Sequence, residues 1–96
     1  MKVIIKESTQ PKKKLMAIFF SKEGKKIKTI HFGARSYTDY TLSGDETKKA
    51  AYIKRHQARE NFNDPMTAGA LSRWILWNKP TRRASIADYK RRFNLQ

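Results

Sequence analysis

The run Leu15-Met16-Ala17-Ile18-Phe19-Phe20 limits this chain more than any other feature. Its side chains are apolar on both alternating faces, so as a strand it must be covered on each side and lie at the centre of a sheet. Ser21-Lys22-Glu23-Gly24-Lys25 follows as a Gly-containing turn, and Lys26 to Phe32 reads as the return strand, ended by Gly33. Along that return strand Lys26, Lys28, Ile30 and Phe32 share one face, charged in its first half and apolar in its second. Upstream, Lys2 to Glu7 is rich in β-branched residues and reads as a shorter strand, with Pro11 to Lys14 as the interruption. The sheet has three strands, or four if Ser36 to Leu42 pairs at an edge.

The remainder reads as helical. Ser43-Gly44-Asp45 with Glu46 marks a helix start, with acidic residues where the macrodipole favours them. This first helix runs to about Glu60 and is weakly amphipathic, since Tyr52, Ile53 and His56 share their stripe with Lys49. It is expected to lie on the surface. Asn61 to Asp64 breaks the chain, and Pro65 suits a first-turn position. From Met66 to Trp77, apolar side chains surround most of the helix axis, with a gap only at Gly69, Ser72 and Arg73. Such a helix is buried, either in the core or between two subunits. The second alternative makes Leu71, Trp74 and Trp77 a self-association surface and the protein a homodimer. Pro80 ends that helix. Ser85 with Asp88 forms a capping-box pattern that opens a last helix to about Phe93, with Ile86, Tyr89 and Phe93 on its inner face. The expected fold is α+β: a small antiparallel β-meander followed by three helices, one domain over residues 1–96, with residues 1–13 as a candidate variable extension.

Charge narrows the partner. Twenty-two Lys and Arg face eight Asp and Glu, a formal net charge of +14. Residues 1–33 carry nine basic and two acidic side chains, residues 34–64 six and five, and residues 65–96 seven and one. Self-repulsion of this size opposes compaction, so it implies a polyanionic partner. A basic tail without structure is excluded by the aromatic content, because disordered chains are poor in aromatics. The chain has no Cys, which excludes disulfides and thiolate metal sites and fits a reducing compartment. It also shows neither a signal-peptide apolar region nor an apolar run of roughly 20 residues. A soluble protein made inside a cell, with no membrane partner, is expected.

The cations fall into two sequence groups: Lys12, Lys13, Lys14, Lys25, Lys26 and Lys28 on the β part, and Arg82, Arg83, Lys90, Arg91 and Arg92 around the last helix. Brought together, they make one continuous positive face able to neutralise phosphates with release of counterions. The last two helices loosely resemble a helix-turn-helix, but the exposed side of the last one lacks the Asn and Gln that read adenine edges. Stacking of single-stranded bases is a second route, since Tyr37, Tyr40 and Phe32 lie near basic groups. Duplex binding without strong sequence preference is the preferred reading. A protein-interaction module for acidic partners is the alternative.

Catalysis finds little support. His31 and His56 are the only histidines, one on a strand and one on a helix, and no phosphate-loop, nucleophile-elbow or zinc-protease motif occurs. No catalytic residue, metal, cofactor or small-molecule substrate is therefore expected. Two short motifs remain. Pro11-Lys12-Lys13-Lys14-Leu15 looks like a nuclear-import signal, and Arg82-Arg83-Ala84-Ser85 like a site for basic-directed kinases. Phosphorylation at Ser85 is expected to weaken anion binding.

The stretch Gly24-Lys25-Lys26-Ile27-Lys28-Thr29-Ile30-His31-Phe32-Gly33, the block from Asn63-Asp64-Pro65-Met66 to Trp77-Asn78-Lys79-Pro80-Thr81, and Ser85-Ile86-Ala87-Asp88-Tyr89-Lys90-Arg91-Arg92-Phe93 together resemble a family of short basic proteins. These are encoded by large and giant DNA viruses such as marseilleviruses and mimiviruses. The resemblance covers residues 21–95 and leaves residues 1–13 outside it. It carries no catalytic or binding residues across. It implies a setting: a viral protein carried in the virion alongside DNA rather than RNA, and made in the host cytoplasm, with the nucleus as a second compartment.

Overall fold

β2 (Lys13–Phe20) lies at the centre of a three-stranded antiparallel sheet, between β1 (Lys2–Glu7) and β3 (Lys26–Ala34), in a computed structural model that describes residues 1–96. Lys2 pairs with Phe20 and Glu7 with Leu15 on one side of β2, and Leu15 pairs with Phe32 and Phe19 with Lys28 on the other. A register shift at Phe19/Phe20 bulges the far end of the β2–β3 hairpin. This register points Val3, Leu15, Ala17, Phe19 and Phe32 to one face, where they close on Leu71, Ile75, Leu76 and Tyr89 from the helices. Burying each such large side chain stabilises the fold by about 1.5–3 kcal/mol. Residues 1–13 supply β1, and Val3 is part of that core.

The opposite sheet face is less covered than a doubly apolar β2 implies. Ile18 and Phe20 stay half exposed there, Ile4 is exposed, and of the run only Met16 is buried on that side. The helices pack on one face alone, so the strand is central within the sheet without being enclosed.

The segment Ser36 to Leu42 forms no strand. Its end becomes α1 (Tyr40–Ser43), a single turn capped by the Asp39 carboxylate, which accepts from the Thr41 amide at 2.9 Å. Gly44, at φ 63°, closes the turn in the left-handed region. Asp competes with the sheet ladder for backbone donors in this way, which is why it favours turns over strands. α2 (Glu46–Gln57) starts where Asp45 predicts, its carboxylate accepting from the Thr47 and Lys48 amides at 2.9 and 3.1 Å.

The apolar helix begins two residues later than expected and is not regular. α3 (Ala68–Leu71) is capped by Thr67, so Pro65 lies ahead of the helix and not in its first turn. A π-helical turn, Ser72–Leu76, follows, with the Trp77 amide donating to the Ser72 carbonyl at 3.1 Å. Such a wide turn re-aims the side chains that follow it. Here Trp77 lands against Tyr52 of α2, ring centroids 4.5 Å apart and 6° from parallel. α4 (Arg82–Arg92) starts from Thr81, whose hydroxyl accepts from the Ala84 amide at 3.1 Å. No helix of the chain is long and apolar enough to cross a membrane.

Two core tyrosines are expected to make the fold sensitive to alkali. Burial pushes the Tyr52 phenol up to about 12, and burial also raises that of Tyr89, whose hydroxyl donates to the Pro65 carbonyl at 2.7 Å. Because the folded state holds these protons more tightly, the stability they contribute is present below the ordinary tyrosine value of 10.0 and is lost as pH rises toward about 12. The thermal midpoint is expected to drop over that window, and Tyr52→Phe to flatten the drop. An identical alkaline profile for Tyr52→Phe contradicts this.

Candidate nucleic-acid interface

The fold sorts the cations into two poles, one at each end of the sheet. Lys12 and Lys13 sit at the start of β2 beside Arg35, whose guanidinium donates to the Lys13 carbonyl at 2.7 Å. Lys25 and Lys26 sit at the hairpin beyond its other end, with Lys28 two residues on and Lys2 opposite Phe20. Along β2 the two ends are roughly 23 Å apart at the rise of a strand. α4 runs between them. It opens with the Arg82 guanidinium 3.9 Å from the Asp39 carboxylate, and the residues after it return to β1, where the Gln96 carbonyl accepts from the Val3 amide at 3.0 Å. One pole therefore combines Lys12, Lys13, Arg35, Arg82 and Arg83; the other combines Lys2, Lys25, Lys26 and Lys28, with Lys90, Arg91 and Arg92 on the end of α4 from which the chain returns to β1. The single continuous face expected from the sequence is replaced by two patches, because the lysines of the β part lie at opposite ends of one strand.

Not every cation is free to meet an anion. Lys14 is 8% exposed and binds Asp39 at 2.5 Å, so it is a structural partner and drops out of the candidate interface. The Pro11-to-Leu15 motif consequently presents no run of three accessible lysines. Arg92 lies 3.7 Å over the Trp74 ring and 3.4 Å from the Asp88 carboxylate, and Arg91 lies 3.7 Å from the same group. Burial alone pushes the Asp88 carboxyl up, but the Asn78 amide at 2.7 Å and Arg92 outweigh it and hold the group below the usual carboxylate range. Of the predicted set Lys12, Lys25, Lys26, Lys28, Arg83, Arg91 and Arg92 are exposed, while Lys13, Arg82 and Lys90 are partly covered.

Ser85 is not a helix cap. It is fully buried inside α4, where its hydroxyl accepts from the Lys79 amide at 2.9 Å and lies 3.3 Å from the Lys79 carbonyl. Thr81 takes the capping role four residues earlier. A kinase reaches Ser85 only by unwinding the start of α4, so the Arg82-to-Ser85 motif offers no accessible phosphorylation site. The same shift moves Arg82 and Arg83 into the first turn of α4, which holds no acidic residue.

The proposed self-association surface is also spent within the protomer. Leu71 is fully buried. The Trp74 indole nitrogen donates to the Phe62 carbonyl at 2.7 Å, and its ring meets Phe93 edge-on and the guanidinium of Arg73 at 4.2 Å. Trp77 stacks on Tyr52, which stacks in turn on His56 at 4.2 Å. The apolar girdle of this helix is satisfied by the sheet, α2 and α4, which is the core alternative.

Between β3, α2, α3 and the π-helical turn lies a cleft of about 740 Å³ that no sequence pattern announced. Tyr37 stands at it, 73% exposed, whereas Tyr40 and Phe32, the other two aromatics considered for base stacking, are buried. Lys48 and Arg55 of α2 reach the cleft, as do the stacked Tyr52, His56 and Trp77. Two carboxylates line it, and of these only Asp39 has a cationic partner. Asp39 is held by Lys14, and Glu60 lies so close to Gly69 that a side chain at 69 would overlap its carboxylate. Nowhere do three His, Asp or Glu side chains converge.

A sequence model described as a family of unknown function, DUF5754, matches residues 3–56, which span β1 through α2. No curated protein and no solved structure matches the chain.

Proposed function

We propose that this chain, which belongs to the DUF5754 family of unknown function, is a non-catalytic nucleic-acid-binding protein that grips phosphates at two poles, largely without reading sequence. The observation carrying this reading is Arg83. It is exposed, has no carboxylate partner, and stands in the first turn of α4, where the helix dipole disfavours a cation by about 0.3–1 kcal/mol. A folding role does not account for a cation placed there. Lys90, Arg91 and Arg92, by contrast, suit the C-terminal turn of the same helix. The poles are separated by about seven base pairs of duplex, so one molecule of DNA reaches both. The setting we propose is the one the viral resemblance implies: a protein packaged with DNA in the virion after synthesis in the host cytoplasm.

Titration of duplex DNA across salt tests the reading. Four phosphate contacts give a log–log slope near −3.6 and roughly a 150-fold loss of affinity between about 50 and 200 mM salt. Arg83→Glu is expected to do two opposite things at once. It lowers affinity and flattens the salt slope by about one, yet it stabilises the fold by about 0.3–1 kcal/mol in thermal melts. Affinity that ignores salt, or an Arg83→Glu protein that binds like the parent, overturns the proposal. One DNA sequence strongly preferred over competitors overturns its sequence-independent part.

A further inference from the structure

We infer that the cleft between β3, α2 and the π-helical turn is a nucleotide site, with a base stacked on Tyr37 and its phosphate held by Lys48 and Arg55. This goes beyond the phosphate grip at the poles and does not depend on it. The cleft volume, about 740 Å³, falls within the roughly 300–1,000 Å³ of small-molecule sites. Tyr37 is the most exposed of the chain's large apolar side chains, and no ring of the protein stacks on it. An exposed aromatic beside a concavity offers a flat face that any base can cover, and each such stack strengthens binding by a factor of roughly five or more.

Charge selects the rest of the ligand. Lys48 and Arg55 lie seven residues apart on α2, hence on one side of the helix and about 10 Å apart. Both are exposed and neither pairs with a carboxylate. With Asp39 neutralised by Lys14, the charges left lining the cleft are Lys13, Lys48 and Arg55 against Glu60 alone, so the balance is positive. The stack of His56, Tyr52 and Trp77 gives the site a wall fixed by three packed rings. An aromatic ring joined to a phosphate is the chemistry that satisfies both features. That chemistry is shared by a free nucleotide and by an unpaired residue of a nucleic-acid strand.

Calorimetric titration with deoxyadenosine monophosphate, adenosine, inorganic phosphate and a ten-residue deoxyadenosine strand distinguishes these. The monophosphate is expected to bind at least tenfold more tightly than adenosine or phosphate alone. Tyr37→Ala should weaken it about tenfold, and Lys48→Glu with Arg55→Glu at least as much. All three side chains are exposed, so the circular dichroism and thermal midpoint of the variants should match the parent. Binding of the strand with the same sensitivity, without binding of the monophosphate, supports the site and assigns its ligand to a strand. Phosphate or polyglutamate binding as tightly as the nucleotide overturns the inference, as does strand binding indifferent to Tyr37→Ala. A protein that binds duplex DNA in an Arg83-dependent way but neither small ligand nor strand refutes the cleft alone. The converse result refutes the poles alone.

Discussion

Asp39→Asn is expected to destabilise the fold by about 3–5 kcal/mol, the usual loss when one partner of a buried ion pair is removed. Asp39 is 1% and Lys14 8% exposed, and they meet at 2.5 Å. Asparagine keeps the capping oxygen for the Thr41 amide, so α1 retains its start and the change isolates the charge. What remains is a buried ammonium with no counter-charge, with the Arg82 guanidinium also nearby. Lys14→Met should be milder, because Arg82, 3.9 Å away, still offers Asp39 a cation. The double variant should recover most of the loss. Urea unfolding of the four proteins measures this, and an Asp39→Asn protein within about 1 kcal/mol of the parent defeats the account. A cluster of four cations against two carboxylates (Glu7 and Asp39 among Lys14, Arg35, Arg82 and Lys13) also explains why this pole stays positive after its internal pairs are formed.

The β-meander was legible because each strand announces itself locally. Alternation and the Gly24 turn need no knowledge of distant residues. Asp45 was legible for the same reason, since a cap acts on the next two or three amides. The misreadings arise where two local signals compete or where the partner is remote. Ser85-x-x-Asp88 fits the capping pattern better than Thr81-x-x-Ala84, yet Thr81 wins because Ser85 is needed to tie the Lys79 backbone. Ser36 to Leu42 carries strand-forming Tyr and Thr residues, but Asp39 withdraws the Thr41 amide from any ladder. The π-helical turn leaves no mark on the apolar pattern of residues 66–77.

Lys14 shows the remoter difficulty. It stands between Lys13 and Leu15, and its partner is 25 residues away. Nothing in the run of three lysines distinguishes the one that folds inward. The split into two poles has the same origin: Lys12 and Lys25 count together as basic residues of one region, while the geometry of β2 separates them. The cleft unites Tyr37, Lys48 and Arg55, which share no motif. Composition therefore points to a class of partner, and only the packing of the helices around the π-helical turn and the sheet selects which cations would be available to it.

Gly33→Ala is expected to destabilise by about 2–5 kcal/mol, from two separable causes. Gly33 has φ +80°, a conformation that disfavours any L side chain by roughly 1–2 kcal/mol. A Cβ there would also lie 2.6 Å from Cδ1 of Leu76, a side chain 1% exposed in the core, and 3.4 Å from Cβ of Lys14. Overpacking of this kind adds about 1–3 kcal/mol. Gly24 provides the control, since it has φ +82° but no atom within 4 Å of where a Cβ would lie. Gly24→Ala should therefore show the conformational part alone, and the difference between the two variants measures the contact with Leu76. For a chain of this length the whole stability is about 5–14 kcal/mol, so Gly33→Ala removes a substantial share of it. Equal losses at Gly24 and Gly33 would mean that Leu76 yields freely. The π-helical turn that carries Leu76, and with it the wall of the cleft at Trp77, would then be softer than its packing implies.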